Sequence, residues 1–139
     1  MGILIRRVSG AFLFGALVVA AAAIKAEETG ERVFELRTYT THEGRLTALE
    51  ARFRDHTMAL FEKHGMRNVG YWIPVDKQNT LIYIIAHQNA AAVAENWESF
   101  ATDPDWQAVA TDSEKDGPIL IEAGIVSQFM TATDYSPIQ

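Results

Sequence analysis

A chain of 139 residues with 12 Lys and Arg against 18 Asp and Glu, a net charge of −6 and no cysteine excludes several classes at once. There is room for one domain with a modest core, and for neither a disulfide framework nor a lipid-modified cysteine. The acidic balance repels phosphate backbones, so nucleic acid is not expected as a partner.

Residues 1–26 read as a secretory signal peptide. Arg6 and Arg7 form a short basic start, "VSGAFLFGALVVAAAAI" is an apolar run, and small residues lead to Ala23 and Ala26, either of which can precede the cut. The apolar run is short for a membrane span, so contact with a membrane is expected only if this segment stays uncleaved. "RRVSG" lacks the apolar residues expected directly after a twin-arginine pair, which favours Sec-type export to the periplasm or beyond. Cleavage after Ala26 removes Arg6, Arg7 and Lys25 but no acid and takes the net charge to −9. Residues 27–32 form a polar leader, and 33–135 the domain.

"VFELRTYT" (33–40) reads as the first strand. Alternation puts Phe34, Leu36 and Thr38 on one face and Val33, Glu35, Arg37 and Tyr39 on the other. In the following segment Leu46, Leu49, Phe53, His56 or Thr57, and Leu60 recur at the spacing of an amphipathic helix, which Gly65 stops. "MRNVGYWIPV" and "TLIYIIAH" read as two strands joined by the turn "DKQN". Asn89 caps a second helix with Val93, Trp97 and Phe100 inward, and Asp103 with Pro104 restarts it. "ILIEAGIVSQFM" is a last strand, long enough to carry a bulge near Gly124.

Strand, helix, strand, strand, helix, strand is the order of the α+β ferredoxin-like βαββαβ fold, with a four-stranded antiparallel sheet and both helices on one face. Ile82, Ile84 and Ala86 form a compact aliphatic set that suits the helix-covered face. Tyr83 and His87, and with them Glu35, Arg37 and Tyr39, are then expected on the open face. The second strand stays ambiguous, since Tyr71 and Trp72 point oppositely. An open face this rich in apolar area is expected to pack on a second copy, giving a homodimer with a cavity between two sheets. Glu35 and Arg37 lie about 7 Å apart along the strand and are expected to bridge to neighbouring strands or to the partner rather than to each other.

"FELRTYT", the helix ending "EKHG", "GYW", "LIYIIAH" and "NWESFATDPDWQ", in that order, resemble the NIPSNAP family, within the dimeric α/β-barrel superfamily. The resemblance spans about residues 32–135 and implies a ferredoxin-like protomer that dimerises through its sheets. Some family members carry mitochondrial addresses and are associated with vesicle trafficking and mitochondrial quality control; the secretory signal here departs from that group. The superfamily also includes cofactor-independent monooxygenases, haem-degrading enzymes and small isomerases.

Glu35, Arg37 and Tyr39 form either a polar network that fixes the dimer or a ligand site. In the second case Arg37 anchors an anion by its two-pronged donor geometry, and Glu35 or His87 moves a proton. Tyr39, Tyr83, Trp72 and Glu122 complete the candidate ligand-binding set. His64 is expected to serve helix capping and His56 to lie half-buried. Trp97, Phe100 and Trp106 read as core, with Trp106 after "DPD" also suited to a cavity rim or dimer edge. No H-E-x-x-H, phosphate loop or G-x-S-x-G occurs, and neither metal nor other cofactor is expected. The expected function is a small-ligand-binding or envelope interaction module, with a cofactor-independent monooxygenase or isomerase acting on an aromatic or anionic substrate as the alternative.

Overall fold

The computed structural model describes residues 30–139; the segments expected to be a signal peptide (1–26) and the start of a leader lie outside the described residues. The elements are β1 (Val33–Thr41), α1 (Leu46–Arg52), a π-helical turn (Phe53–Thr57), α2 (Met58–Lys63), β2 (Arg67–Trp72), β3 (Thr80–His87), α3 (Ala90–Thr102), α4 (Pro104–Ser113) and β4 (Leu120–Thr131). The strands form one antiparallel sheet in the order β2-β3-β1-β4, the ferredoxin-like arrangement, with the helices on one face. No helix among the described residues is long and apolar enough to cross a membrane.

The helix punctuation follows the local chemistry. Asn89 accepts a hydrogen bond from the Ala92 N–H at 3.0 Å, satisfying one of the unpaired amides at the start of α3. Asp103 does the same for Asp105 N–H at 2.8 Å, with Pro104 at the first turn of α4. Gly65 adopts φ +77° where the helix stops. His64 tightens that end, its ring nitrogens pairing with Ser99 Oγ at 2.5 Å and Asp103 Oδ2 at 2.6 Å. Lys63 and then His64 hold the Asp103 carboxyl well below the usual carboxylate range.

The expected helix over 46–63 contains one surplus residue, absorbed as the π-helical turn. Leu49, Phe53, Thr57 and Phe61 therefore all reach the core at a strict spacing of four, and His56 stays in solvent. β4 carries the expected bulge. Tyr39 pairs with Ile125 but Thr41 with Leu120, so β4 spends three extra residues there. Ala123 sits at φ 54°, and a Cβ on Gly124 would lie 2.6 Å from the Thr40 carbonyl oxygen. β2 ends at Trp72, earlier than the expected Val75.

The expectation for the sheet faces is overturned. Tyr39, Leu81, Tyr83 and Ile85 belong to the core under the helices, packed against Leu49, Phe53, Phe61 and Phe100. Glu35, Arg37 and His87 share that face, so these residues do not lie on an open face between two subunits. Leu36, Thr38, Ile82 and Ile84 face away from the helices, together with Trp72 and Val126. The reason is spatial. Aromatic rings span the gap between sheet and helices, and their hydroxyl ends find partners inside it. Phe53 lies edge-on or tilted to Tyr39, Tyr71 and Tyr83 at centroid distances of 5.9, 5.5 and 5.0 Å. The compact aliphatic set is left on the uncovered side. Tyr71 is thus the inward residue of β2, and the Trp72 indole folds outward over Gly70.

Candidate functional site

β1 delivers Glu35, Arg37 and Tyr39 to the inner face two residues apart, and β3 places His87 and Tyr83 beside them. Glu35 accepts four hydrogen bonds. Arg37 Nη1 at 2.6 Å and Ser127 Oγ at 2.9 Å reach Oε1; Trp97 Nε1 at 2.8 Å and His87 Nε2 at 3.1 Å reach Oε2. Contrary to the spacing argument, Glu35 and Arg37 therefore pair directly, because the long arginine side chain curls back along the strand. The guanidinium also lies over the Trp97 ring at 4.3 Å from its centroid.

Burial alone would favour the neutral acid, yet the His87 hydrogen bond and the Arg37 charge outweigh it and hold the Glu35 pKa at about 2. Burial likewise opposes the Arg37 cation, while Tyr39, Tyr83 and Glu35 keep its pKa above the ordinary value. Asn96 Nδ2 fixes the state of His87. The same nitrogen lies 3.3 Å from the Gly65 carbonyl, which only accepts, and 3.1 Å from His87 Nδ1. Nδ1 is therefore the acceptor, and the histidine proton sits on Nε2, directed at Glu35. Glu35 and His87 are thus buried with every strong polar position engaged. Such a pair holds the first strand to the helices; it is a poor proton acceptor for a substrate.

The network opens at its other end. Arg37 Nη2 donates to Tyr39 Oη at 3.2 Å, and Tyr83 Oη lies 3.0 Å from the same oxygen. Tyr83 is fully buried with no other partner among the described residues, so it is the donor, and Tyr39 keeps its own proton uncommitted. Burial, then the neighbouring Tyr39, raises the Tyr83 pKa well above the ordinary value, so its proton stays in place.

Tyr39 forms one wall of a cleft of about 260 Å³ between the sheet and α4. Phe53, Phe61, Phe100 and Trp106 supply aromatic surface, Leu120 and Ile125 aliphatic surface, and Arg52 and Glu114 charge. Arg52 is the last residue before the π-helical turn, and its side chain is 6% exposed. Its Nη1 donates to Ser113 Oγ at 3.3 Å and lies 3.9 Å from Glu114 Oε1, while Nε is buried without a partner. The guanidinium stands 5.3 Å from the Trp106 ring centroid. Desolvation lowers the Arg52 pKa from its ordinary value, against the pull of Tyr39 and Glu114.

Of the residues singled out from sequence, the structure gathers Glu35, Arg37, Tyr39, Tyr83 and His87 and separates two. Trp72 is 51% exposed on the opposite face, and Glu122 is exposed in the β4 bulge. Trp106, read as core or cavity rim, does both, packing tilted against Phe100 at a centroid distance of 4.5 Å while lining the cleft. Arg52, Ser127, Asn96 and Glu114 were not anticipated. Arg52 had one available signal, a lone cation one position before Phe53 on the inward stripe. Among the described residues no group of three His, Asp or Glu side chains is placed to hold a metal ion.

Comparison with known proteins places this geometry in context. No curated protein sequence matches the chain. Solved structures do: an uncharacterised NIPSNAP-like domain protein from Burkholderia xenovorans has a TM-score of 0.67 at 16% identity, covering 78% of this chain and 90% of its own. A NIPSNAP family protein of unknown function from Agrobacterium tumefaciens scores 0.67 at 21% identity, covering 79% and 96%. SnoaB, a cofactor-independent oxygenase from Streptomyces nogalater, scores 0.54 at 19% identity, covering 77% and 98%. At these identities the likeness is one of fold. The NIPSNAP family model matches residues 34–137, which takes in the strands and helices described above save the first residue of β1, and the chain therefore belongs to the NIPSNAP family.

Proposed function

We propose that this chain is an exported, homodimeric NIPSNAP protein that binds a small organic molecule in the cleft between its own sheet and helices, one cleft per protomer. The carrying observation is Tyr39: its side chain lines an aromatic-walled space, and its hydroxyl oxygen is doubly donated to while its own proton is uncommitted. A small apolar pocket with a few convergent polar groups is the usual form of a ligand site. The Glu35–His87 network then serves to hold Arg37, and through it Tyr39, in one orientation. This moves the ligand site from the space between two sheets to the interior of one protomer, and moves Glu35 and His87 from proton transfer to positioning.

Export rests on the composition of residues 1–26, and homodimerisation on the apolar outer face of the sheet. Native mass spectrometry on protein purified gently from its own envelope fraction tests the three parts together. The expected spectrum is a dimer of chains lacking residues 1–26, with a retained mass that Tyr39→Phe reduces or removes. A bare monomer of full-length chains would contradict all three.

A second reading, a cofactor-independent oxygenase or isomerase, is favoured by the same hydroxyl and by the fold shared with SnoaB. Tyr39 would donate a proton or hydrogen bond to substrate oxygen while Arg52 offsets developing negative charge. Turnover of a small aromatic substrate that Tyr39→Phe abolishes, with binding retained, distinguishes this from simple binding.

A further inference from the structure

Arg52 has a donor edge that the fold does not use. In a guanidinium, Nε and Nη2 point their N–H groups in parallel, forming the side-on fork that matches the two oxygens of a carboxylate. In Arg52 the other nitrogen, Nη1, makes the contacts to Ser113 and Glu114. Nε has no partner, and no hydrogen bond from Nη2 is present among the described residues. A buried N–H without a partner is costly unless something else pairs it; Arg37 and Arg45 also bury an unpartnered Nε, but of the three arginines only Arg52 lines the aromatic cleft. The fork belongs to a side chain lining a cleft whose other walls are the rings of Tyr39, Phe53, Phe61, Phe100 and Trp106, with Leu120 and Ile125 beside them and Glu114, already 3.9 Å from Arg52 Nη1, at its edge.

Resting on the ligand-binding reading above, we infer that the cleft takes a small planar carboxylate, with the carboxylate on the Nε–Nη2 edge of Arg52, the ring against Trp106 and Phe53, and the Tyr39 hydroxyl donating to a polar substituent or carboxylate oxygen. Size fits the class. At about 260 Å³ the cleft lies just under the roughly 300–1,000 Å³ of sites for drug-sized ligands, which suits a compound of one ring. The lining fits as well, since Phe53, Phe100 and Trp106 supply aromatic surface for a ring to contact. Charge fits because Arg52, already stacked near Trp106 and linked to Glu114, needs one more acceptor to complete its hydrogen bonding.

Isothermal titration calorimetry on the intact folded protein with sodium benzoate, benzyl alcohol and sodium acetate tests this. Benzoate is expected to bind at least about tenfold more tightly than either of the others, as a charge-assisted fork adds that much. Arg52→Gln is expected to bring benzoate down to the level of benzyl alcohol, and Trp106→Leu to bring it down to acetate. Circular dichroism confirms that each variant is folded; if Arg52→Gln is not, the three-ligand ranking on the natural protein decides alone. Benzyl alcohol equal to benzoate overturns the carboxylate assignment and leaves the ligand-binding reading standing. Acetate equal to benzoate overturns the ring assignment. Binding of none of the three at millimolar concentration overturns both the inference and the reading it rests on.

Discussion

Glu35 is an acid kept ionised in a place where ionisation is expensive, and the consequence can be measured with pH. Its folded pKa of about 2 lies below the ordinary 4.5, so the folded state holds the proton less tightly than the unfolded one. The stabilisation is fully present above about pH 4.5 and is lost as pH falls towards 2. A depression of that size corresponds to about 3 kcal/mol. Glu35→Gln is therefore expected to unfold at lower urea than the natural protein at pH 7, with the gap narrowing as pH falls below about 4.5 and closing only as it passes about 2; a gap independent of pH would show that the carboxylate charge is not what matters. Trp97→Phe removes a single donor from the same oxygen and is expected to cost about 1–3 kcal/mol, read from the same urea midpoints. At this scale the sequence made the participants visible but not their setting. Glu35, Arg37, Tyr39, Tyr83 and His87 stand out because alternation puts them on one face. Which face that is depends on Trp97, whose indole N–H needs an acceptor and whose helix lies above the sheet, a contact between residues 62 positions apart that no local pattern encodes.

At the scale of elements, the starts and stops were the most legible features because each depends on only a few neighbouring residues. Asn89, Asp103 with Pro104, and Gly65 act through their own backbone and the next turn. Asn89→Ala should lower stability by about 1 kcal/mol with no change in ligand binding, measured as a shift in urea midpoint. The π-helical turn was not legible: Leu46, Leu49, Phe53 and Leu60, with either His56 or Thr57 between the last two, fit an unbroken α-helix equally well. Its surplus residue brings Thr57 rather than His56 to the inner face, with the Thr57 hydroxyl taken up by the Arg52 carbonyl at 3.2 Å. Deleting His56, an exposed residue within the turn, should restore a regular helix while keeping Leu49, Phe53 and Phe61 in the core. The deletion variant is expected to retain its helical circular dichroism and to weaken benzoate binding, because Thr57, which lines the cleft and donates to the Arg52 carbonyl, shifts its register relative to Arg52. Binding retained at full strength would show that the turn has no part in placing Arg52.

For the molecule as a whole, the uncovered side of the sheet is the feature that one protomer leaves unfinished. Leu36, Ile82 and Ile84 line its centre, partly exposed, and Trp72 and Val126 flank them at 51% and 62% exposure. Their neighbours in adjoining strands are close in register, Thr38 beside Ile82 and Val126, and Leu36 beside Ile84, so the apolar side chains form one continuous surface rather than scattered points. A contiguous patch of this kind on a sheet is characteristically buried against another surface, and a two-fold axis lets the patch cover itself. The sequence argument proposed a dimer through the wrong face. It took the aromatic and charged set for the interface and the aliphatic set for the interior, whereas an aliphatic interface carries no buried charges to compensate. Val126 offers the cleanest test, since a residue already well exposed contributes little to the protomer's own core. Val126→Glu is expected to sediment as a monomer where the natural protein sediments as a dimer, with an unchanged far-ultraviolet spectrum. Its thermal midpoint should no longer rise with protein concentration, because mass action stabilises only the associated form. A natural protein that stays monomeric up to tens of micromolar would remove the self-association argument and leave the apolar face to a different partner.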